Sequence, residues 1–508
     1  MQDKHISQWT DSYSEQIQTR LDKRARMSEA KQTPYKTGLK PNIKSSELHD
    51  LYGAKTKEDL AALATDYQFA GRAMLVRDFG KAAFLDIDDG YGRMQVYLSK
   101  NDLSETDFAE YKCADYGDFI WMRGFIFRTG KGELALHAKE FKVVTKSIRP
   151  LPEKFHGLTD PELCYRMRYV DTTMNAESRD TLRKRSQIVR YIREFFFDRD
   201  YLEVETPMMH SVAGGATAKP FTTHHNALDM ELFMRIAPEL HLKRLLVGGF
   251  PRVFEMNRCF RNEGLSIKHN PEFTSIEFYE AWATYEDHMN LTEELLSGLV
   301  HKLHGNETIS FGEREISFAR PFRRLTMRQA VVEAAHISIE DTKSPAKMIS
   351  LLKTKGHDEA KIKNLSADKL MVLCFEEFAE GGLIQPTFIT EFPTEISPLA
   401  RRNDDNPEIV DRFELMINGW EVANAFNELN NPTDQLERFA DQAKAKEAGD
   451  DEACDVDYDF VRALEYGMPP AAGQGIGIDR LCMLLTNSPS IRDVILFPQL
   501  KKEVFFPS

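Results

Sequence analysis

Apolar and polar residues alternate in five short runs between residues 67 and 145, and Gly and Asp-Gly turns separate the runs. Alternation with a period of two predicts strands, and short strands joined by such turns are typical of a small β-barrel. After about residue 165 longer runs of mixed helical and strand period follow. The chain therefore predicts a small barrel and a larger α+β domain. The five runs are FAGRAMLVRDFG, AAFLDIDDG, GRMQVYLS, DFIWMRGFIFRTG and ELALHAKEFKVV.

One surface of the predicted barrel carries candidate nucleic-acid contacts. Among small barrels, the five-stranded oligonucleotide-binding (OB) fold has about this length and a strand surface that suits splayed bases. Phe84 could stack on a base there, while Arg77 and Gln95 could read a base edge or hold a phosphate. Taken alone, Phe84 is more often a core residue than a stacking platform, so both interpretations stay open.

Composition divides the chain into four parts. Residues 1–64 are charged and poorly patterned and predict a helical extension. The barrel occupies residues 65–147, and the Pro-, Gly- and charge-rich residues 148–165 predict a linker. Residues 166–508 form the α+β domain, whose polar stretch at about 286–385 predicts a helical insertion.

Charge and cysteine usage narrow the class of protein. A formal net charge of −14 argues for a soluble protein and against a uniformly basic nucleic-acid binder. The eight Lys and Arg of residues 20–44 suit either a solvated surface or an RNA backbone. The six cysteines show no C-x-x-C pair, which indicates reduced thiols in a cytoplasmic protein. We expect no secretion signal and no membrane span.

A helix and a strand open the larger domain. KRSQIVRYIREFFF (184–197) places Ile188, Ile192 and Phe196 on one helix face. YLEVETPMM follows as a strand that meets Pro207, and proline favours a strand end or a sheet edge, such as a dimer boundary. A plain core helix and strand is the alternative.

Two further runs predict a hairpin that gathers chemistry on one face. RVFEMNRCFRNE (252–263) and the run from Phe273 to Tyr279 both have strand character. Their parity predicts one common surface, with Lys268 and His269 on the connecting tip. A surface ion-pair ladder would explain any two of these residues, but not so many polar and aromatic groups together. The residues on this common surface are Arg261, Glu263, Phe273 and Glu277.

Asn418-Gly419 predicts a second hairpin within DRFELMINGWEVANAFNEL. If these residues form the turn, Met416 faces Glu421, Leu415 faces Val422, and Glu414 lies diagonal to Glu421. Paired carboxylates repel unless a cation neutralises them, which suggests Mg²⁺ held together with phosphate.

Strand parity raises a difficulty in the second hairpin. A regular ladder would put Asn424, Phe426 and Glu428 on the face opposite to Glu421. Either the two sets serve different surfaces or a bulge lies between them.

AAGQGIGIDRLCMLL (471–485) has Gly473, Gly475 and Gly477 at period two, and Arg480 in the first turn of a following helix. Glycine on one strand face leaves room for a flat ligand. The chain has neither the G-x-G-x-x-G dinucleotide fingerprint with its βαβ unit nor a G-x-x-x-x-G-K-[ST] P-loop.

Together these motifs resemble the class II aminoacyl-tRNA synthetases of the subclass with an N-terminal OB domain, and within it the lysine-specific enzymes. The resemblance covers about residues 65–505 and rests on the helix and strand ending at Pro207, FRNE with its loop to HNPEF, and GIGIDR. RIAPELHLKRLLVGG, LIQPTFITEFPTEISPLARR and LEYGMPPAAGQGIGIDR strengthen it. It implies an OB-fold anticodon-binding barrel and a catalytic domain built on an antiparallel sheet flanked by helices.

The resemblance also implies partners and a reaction. We expect a cytoplasmic homodimer, assembled through the helix and strand before Pro207, that binds ATP, L-lysine, tRNA(Lys) and more than one Mg²⁺ per active site. Lysine's carboxylate would attack the α-phosphorus of ATP, giving lysyl-adenylate and pyrophosphate. The lysyl group would then pass to the 3′-terminal adenosine of the tRNA. The carboxylate is already ionised, so positioning and charge neutralisation replace a protein base.

Residue roles follow from the same resemblance. Arg261 would bind the α-phosphate, and His269 and Arg480 would bind the γ-phosphate end. These three residues form the expected catalytic set. Glu263 would hold the adenine amino group and Phe273 would stack on the ring. Asn270 and Glu414 complete the ATP-binding residues, and Glu414 and Glu421 would hold Mg²⁺. The expected lysine pocket consists of Gly215, Glu239, Glu277, Tyr279, Asn424, Phe426 and Glu428.

Three alternatives remain at this point: an enzyme that charges aspartate or asparagine, a lysine-activating enzyme that modifies a protein, and a non-enzymatic single-strand-binding protein. Three pocket glutamates favour a cationic substrate over the first. Enzymes that modify a protein with lysine lack the N-terminal barrel, and a single-strand-binding protein would leave the Arg and Glu motifs unexplained. Trp420 stands where the family often has a basic residue, and Ala423 and Ala425 where many bacterial members have Gly. Because the family needs Glu421 and Glu428 in one site, we expect a bulge between Glu421 and Asn424.

Overall fold

The computed structural model describes residues 4–63, 65–152, 158–216, 218–447, 449 and 454–501, with the backbone alone for residues 4–14. The chain folds into two compact units that divide immediately before Leu158. Part of the predicted linker, residues 153–157, lies outside the described residues.

Three helices precede the barrel in the first unit. They are α1 (Lys4–Glu29), α2 (Ser45–Tyr52) and α3 (Lys57–Ala61). Arg20 donates to two backbone carbonyls of this unit at 2.8 and 3.0 Å. Lys23 lies 2.5 Å from Asp115, and Lys36 lies 2.5 Å from Glu110. Three of the eight basic residues in the stretch 20–44 therefore hold the extension against the barrel.

The barrel itself has five strands and one helix. They are β1 (Asp66–Asp78), β2 (Ala82–Asp88), β3 (Arg93–Ser99), α4 (Glu105–Tyr111), β4 (Phe119–Arg128) and β5 (Leu134–Thr145). The strands close in the order β1-β2-β3-β5-β4, and only the pair β3 and β5 is parallel among these. Leu85, Ile87, Val96 and Leu98 are fully buried inside, each contributing about 1.5–3 kcal/mol. The predicted five-stranded OB barrel is confirmed.

The second unit is built on an eight-stranded sheet. Its strands, and those of two small sheets, are β6 (Leu202–Glu203), β7 (Met209–His210), β8 (Thr222–His225), β9 (Met230–Met234), β10 (Arg252–Phe260), β11 (Glu272–Ala281), β12 (Thr308–Phe311), β13 (Arg314–Ser317), β14 (Arg323–Thr326), β15 (Thr387–Pro393), β16 (Ile409–Ile417), β17 (Trp420–Asn427) and β18 (Ala471–Gly477). The main sheet has the order β14-β15-β16-β17-β18-β11-β10-β6. It is antiparallel except at its two edge pairs, which confirms the predicted catalytic-domain architecture.

Helices flank this sheet. They are α5 (Pro161–Arg166), α6 (Arg168–Met174), α7 (Ala176–Phe197), α8 (Glu239–Val247), α9 (Tyr285–His304), α10 (Met327–Ala335), α11 (Pro345–Thr354), α12 (Glu359–Ile362), α13 (Ala367–Cys374), α14 (Pro432–Glu447), α15 (Tyr458–Glu465), α16 (Ile478–Leu485) and α17 (Ile491–Val494). On one face of the sheet, Phe278, Leu415 and Ile476 pack against α7, α9 and α16. Because side chains alternate across a strand, the residues next to them in sequence, among them Glu277, Tyr279 and Glu414, point to the opposite face.

The stretch 286–385 has three structural roles. Helix α9 packs into the main core, and β14 forms one edge of the main sheet. Helices α10, α11 and α13 share a separate apolar cluster around Leu352 and Leu370. The stretch therefore combines helix α9, which belongs to the main core, with a separate helical cluster in its second half.

Candidate active site

One cavity lies on the sheet face opposite the main core. Strands β10, β11, β17 and β18, the loop between β10 and β11, and the start of α8 supply its walls. Its walls include most of the predicted site residues, which are Gly215, Glu239, Arg261, Glu263, His269, Asn270, Phe273, Glu277, Tyr279, Glu421, Asn424, Phe426 and Arg480. The structure thus brings together residues from five separate stretches of sequence.

The hairpin of β10 and β11 forms as the sequence predicts. Cys259 pairs with Phe273, and the Arg261 N–H donates to the carbonyl of Pro271 at 2.9 Å. The Arg261 guanidinium lies 5.3 Å from the centre of the Phe273 ring. Its Nε is buried and has no hydrogen-bond partner among the described residues. A buried, unpaired guanidinium N–H facing a cavity is well suited to bind an anion.

The hairpin loop is fastened to its surroundings. Arg480 Nη2 lies 3.0 Å from His269 Nε2, and burial together with Arg480 lowers the pKa of His269. The Ser266 hydroxyl lies 2.9 Å from His269 Nδ1. At the tip, the Lys268 ammonium lies 5.3 Å from the centre of the Trp420 ring. Trp420, whose role the sequence left open, therefore provides an aromatic face for the loop.

The second hairpin contains the expected bulge. Asn418 and Gly419 form its turn with φ of 55° and 67°, and Met416 pairs with Glu421 as predicted. Leu415 pairs with Ala423, so the predicted pairing of Leu415 with Val422 is wrong. The extra residue in β17 shifts its register at Val422 and reverses the parity of the later residues in the strand.

The bulge resolves the parity difficulty. Val422 and Ala423 both pack into the main core, so Glu421, Asn424 and Phe426 all line the cavity. Glu414 pairs with Asn424 across the strands. The two predicted metal-binding carboxylates therefore share a face with the lysine-pocket residues.

Glu414 and Glu421 form an electrostatically strained pair. Burial, and then repulsion from Glu421 and Glu380 against the attraction of Arg412, raises the pKa of Glu414 to about 7. Arg412 Nη2 donates to Glu414 Oε1 at 2.5 Å. The Glu421 carboxylate lies 3.6 Å from Arg480 and is half exposed. Across the described part of the chain, three or more His, Cys, Asp or Glu side chains nowhere assemble as a metal site.

Glu277 and Tyr279 lie on the same cavity-facing side of β11. The Tyr279 hydroxyl donates to Glu277 Oε2 at 3.1 Å. Burial, followed by repulsion from Glu239, raises the pKa of Glu277 to about 8. Gly215 borders the cavity with φ of +90°, a conformation that favours glycine, and a Cβ there would lie 3.5 Å from Glu239 Cβ.

Glu428 is placed differently from the other pocket residues. Its side chain is fully buried, is not among the residues that line the cavity, and forms an ion pair with the equally buried Lys243. Lys243 also lies 2.7 Å from Glu239 Oε1, one helical turn away on α8. Sequence reasoning missed Lys243, although a Glu and a Lys four residues apart were a local signal of the pair with Glu239.

The glycines of β18 have different neighbours. A Cβ on Gly473 would lie 2.0 Å from Glu428 Oε1 and 2.3 Å from Tyr279 Cε1. A Cβ on Gly475 would meet only Glu277 Cγ, at 3.6 Å. The expectation that glycine leaves room for a ligand therefore needs a correction at Gly473, where the protein's own side chains fill that space.

Three supporting residues also escaped the sequence analysis. Arg235 is fully buried and lies 2.6 Å from Glu255. Arg412 donates to Asn424 Oδ1 at 3.0 Å as well as to Glu414. Asp479 accepts from Arg185 of α7 at 2.5 Å. Each holds a cavity-lining strand in place through a contact between distant parts of the sequence.

The predicted nucleic-acid residues lie on the outer surface of the barrel. Arg77, Phe84 and Tyr97 are adjacent across β1, β2 and β3. Phe84 is partly exposed and lies 5.1 Å from the Tyr97 ring, so the core interpretation of Phe84 is wrong. Gln95 Nε2 donates to Glu133 at 3.1 Å, and its buried Oε1 has no partner in the part of the chain that is described.

Comparison with known families decides the class of protein. The model described as tRNA synthetases class II (D, K and N) matches residues 160–501. The chain belongs to this family. A second model, the OB-fold nucleic acid binding domain, matches residues 67–144. The family resemblance inferred from the motifs is confirmed.

Individual relatives extend the match to nearly the whole chain. A Dichelobacter nodosus protein named Lysine--tRNA ligase is 53% identical over 492 residues, covering 96% of this chain and 97% of that protein. Proteins with the same name from Pseudomonas fluorescens and Yersinia enterocolitica are 53% and 49% identical over 90% and 98% of this chain, and over the same shares of their own length. Within its described residues, this class II synthetase has no helix with the length and apolar character needed to cross a membrane.

Proposed function

We propose that this class II synthetase is a lysine--tRNA ligase. It activates L-lysine with ATP, releases pyrophosphate, and transfers the lysyl group to the 3′-terminal adenosine of tRNA(Lys). One observation carries the proposal. A single cavity is lined by Arg261, whose buried Nε lacks a partner among the described residues, and by the carboxylates Glu239 and Glu277. The same cavity thus offers an anion-binding end and a cation-binding end.

The anion-binding end would hold ATP. Arg261 contacts the α-phosphate and neutralises the charge that builds up as the lysine carboxylate displaces pyrophosphate in line. His269 and Arg480, 3.0 Å apart, contact the γ-phosphate end. Phe273 stacks on the adenine, Glu263 accepts from its amino group, and Asn270 lines the same wall. Holding the two reactants in line removes much of the entropic barrier.

The cation-binding end would select lysine. Glu239 and Glu277 face the cavity and attract the two ammonium groups, while Tyr279 and Phe426 enclose the aliphatic stem. Glu428, which is buried and paired with Lys243, completes the proposed lysine pocket. An aspartate or asparagine side chain would meet repulsion or unpaired carboxylates here, and both are costly in a buried site. Shape alone would discriminate only weakly against ornithine, because one methylene changes the binding free energy by only about 1–3 kcal/mol.

Glu414 and Glu421 would hold Mg²⁺. Mg²⁺ typically uses one or two protein carboxylates and completes its coordination with water and substrate phosphates, so a two-carboxylate site fits. Burial is the main cause of the raised pKa of Glu414, and repulsion from Glu421 adds to it; a bound cation would relieve that repulsion. When bound, Mg²⁺ neutralises phosphate charge and polarises the phosphoryl oxygens. More than one ion per active site is part of the proposal.

The barrel would read the tRNA anticodon. Phe84 supplies an aromatic surface for stacking a base, with Tyr97 beside it. Arg77 is exposed and placed for a backbone phosphate, and Gln95 has an unpaired acceptor for a base edge. Most of this surface is contributed by three adjacent strands, as in other nucleic-acid-binding barrels of this type.

A homodimer is the proposed assembly. Strand β6 lies at the edge of the main sheet and carries Leu202, which is 47% exposed. Phe197, at the end of α7, is 51% exposed. An exposed apolar edge of this kind favours burial against a second copy of the chain. Sedimentation of the purified protein at micromolar concentration tests the assembly, and a monomer would reject it.

Amino-acid-dependent exchange of labelled pyrophosphate into ATP tests the function. We expect exchange with lysine and none with aspartate or asparagine. Charging of tRNA(Lys) with labelled lysine then separates a tRNA ligase from an enzyme that modifies a protein. Absence of lysine-dependent exchange would reject the proposed substrate, and exchange without tRNA charging would reject the second step.

A further inference from the structure

Arg412, on β16, joins two parts of the proposed active site. Its Nε donates to Asn424 Oδ1 at 3.0 Å, and its Nη2 donates to Glu414 Oε1 at 2.5 Å. Its Nη1 donates to the Ser397 hydroxyl at 2.8 Å. The guanidinium carbon lies 4.4 Å from the centre of the Phe392 ring. Each of the three nitrogens therefore has its own acceptor, and an aromatic ring packs against the group that carries them.

The register of the second hairpin brings these groups together. Arg412 and Glu414 are two residues apart on β16, so their side chains lie on the same face of the sheet. Across the strands, Arg412 pairs with Phe426, and Glu414 pairs with Asn424. Without the extra residue in β17, Ala423 would lie opposite Glu414, and Asn424 would face the other side of the sheet. The bulge is therefore what gives Arg412 an amide to bind.

The chemistry of Arg412 determines how Asn424 presents its side-chain amide. A guanidinium has only donors, so the atom that faces it must be the amide oxygen. Asn424 lines the cavity, whereas Arg412 does not. The amide nitrogen is thus the end left for a ligand, to which it can donate a hydrogen bond. Without Arg412, the amide could rotate and present its oxygen instead.

The Glu414 carboxylate is oriented by the same guanidinium. The bond from Arg412 engages Oε1, so the carboxylate keeps a second oxygen for a cation. Glu414 belongs to the proposed Mg²⁺ site, and Asn424 belongs to the proposed lysine pocket. One rigid, planar group therefore sets the geometry of a side chain in each of the two substrate sites.

We propose that Arg412 is a positioning residue that orients Glu414 for ATP with Mg²⁺ and Asn424 for lysine, without contacting either substrate. The inference rests on the proposed lysine activation and deepens it. Two other roles compete with this one. Arg412 could be a purely structural ion pair, or it could act only through its positive charge on Glu239, whose pKa burial raises and Lys243 and Arg412 lower in turn.

Arg412→Lys is the decisive variant, because it keeps the positive charge and removes the planar fork of donors. Calorimetric titration of the full-length protein gives the Kd of lysine without ATP, and the Kd of ATP with Mg²⁺ without lysine. We expect both to rise about 10–100-fold, the usual effect of losing a group that orients a binding side chain. A rise in only one of them, or in neither, would overturn the shared role.

Arg438→Lys is the matched control. Arg438 is also buried and donates to the backbone carbonyls of Ser397 and Ala400 at 2.9 and 2.7 Å, and to Asp434. None of these three partners lines the cavity. We expect a lower melting temperature and an unchanged Kd for lysine. Equal losses of lysine affinity in Arg438→Lys and Arg412→Lys would indicate general loosening of this region and would overturn the inference.

A double-mutant cycle separates positioning from the effect of charge. If Arg412 acts on lysine through Asn424, the loss caused by Arg412→Lys should largely disappear once the amide is absent. We expect Arg412→Lys/Asn424→Ala to bind lysine within about threefold of Asn424→Ala alone. Losses that multiply as independent factors would overturn the inference.

Ser397→Ala replaces Arg412→Lys should that variant not fold. It removes the bond to Nη1 and leaves Glu414 and Asn424 untouched. We expect the Kd values of lysine and of ATP with Mg²⁺ to rise together, by a smaller factor than in Arg412→Lys. Unchanged values of both would overturn the inference.

The unaltered protein separates this inference from the proposed function. If the unaltered protein does not bind lysine, the proposed function itself fails. If it binds lysine and Arg412→Lys binds it equally well, only the role of Arg412 fails.

Discussion

Replacing Gly473 with alanine should damage the lysine pocket and spare the rest of the fold. The added Cβ would lie 2.0 Å from Glu428 Oε1 and 2.3 and 2.6 Å from Tyr279 Cε1 and Cδ1. Reaching ordinary contact at 3.4 Å requires both groups to move by about 1 Å or more. Neither has open space, because Glu428 is buried against Lys243 and Tyr279 is buried beside Glu277.

Two effects are expected, each with its own size. Overpacking of a well-filled site costs about 1–3 kcal/mol of folding free energy. Displacement of Tyr279 and Glu428 by about 1 Å should lower kcat/KM for lysine by about 100-fold, the usual consequence of such a misplacement in an active site. The KM for ATP should change much less, since neither Arg261 nor Phe273 is among the nearest groups that the new Cβ would meet.

Gly475→Ala is the matched control. It makes the same chemical change in the same strand, and the new Cβ would meet only Glu277 Cγ at 3.6 Å. Differential scanning calorimetry of both variants provides the comparison. We expect a lowered melting temperature for Gly473→Ala alone. If the two variants melt alike, the close approach at Gly473 has no energetic meaning and the reasoning fails.

Four other predictions concern separate parts of the protein. Arg261→Ala should lower lysine-dependent exchange by at least about 100–1000-fold, the range for losing one transition-state donor, with unchanged melting; near-normal exchange would refute its assignment. Phe84→Ala should weaken tRNA charging by about 1–3 kcal/mol and leave exchange without tRNA intact, and equal damage to both would contradict a stacking role. Glu277 has a pKa of about 8 in the free enzyme and must ionise to bind an ammonium group. The KM for lysine should therefore fall about tenfold from pH 6 to 7 and level off above pH 8. A KM that does not change with pH would contradict this. Lys268→Gln removes the contact between Lys268 and the Trp420 ring. Because a partly exposed cation–π pair contributes about 0.5–1 kcal/mol, the KM for ATP should rise about two- to fivefold. An unchanged KM would show that the loop does not need this contact.

Much of the fold was predictable because its signals are local. The five alternating runs give the barrel, and the Asn418-Gly419 turn sets the pairing of Met416 with Glu421. Local parity failed one residue later, where Leu415 pairs with Ala423. The sequence at Val422 does not mark the bulge. It could be expected only from the requirement that Glu421 and Glu428 serve one site.

The parts of the site that escaped prediction depend on contacts between distant residues. Lys243 and Glu428 are far apart in sequence, and nothing near either residue indicates that they meet. Arg235 likewise meets its carboxylate, Glu255, through the fold rather than along the chain. Motif matching identifies residues that face a ligand. The oppositely charged residues behind them become visible only when the packing is known.

The distribution of charge explains why this pocket differs from a general ion-pair network. A structural network tends to neutralise its own members, as Arg235 does for Glu255. Around Lys243 the pKa values of Glu239, Glu277 and Glu428 are all raised, chiefly by burial. Perturbed carboxylates of this kind concentrate at functional sites. We therefore expect a bound cationic side chain to stabilise the ionised form of these carboxylates, which a neutral or acidic side chain would not do.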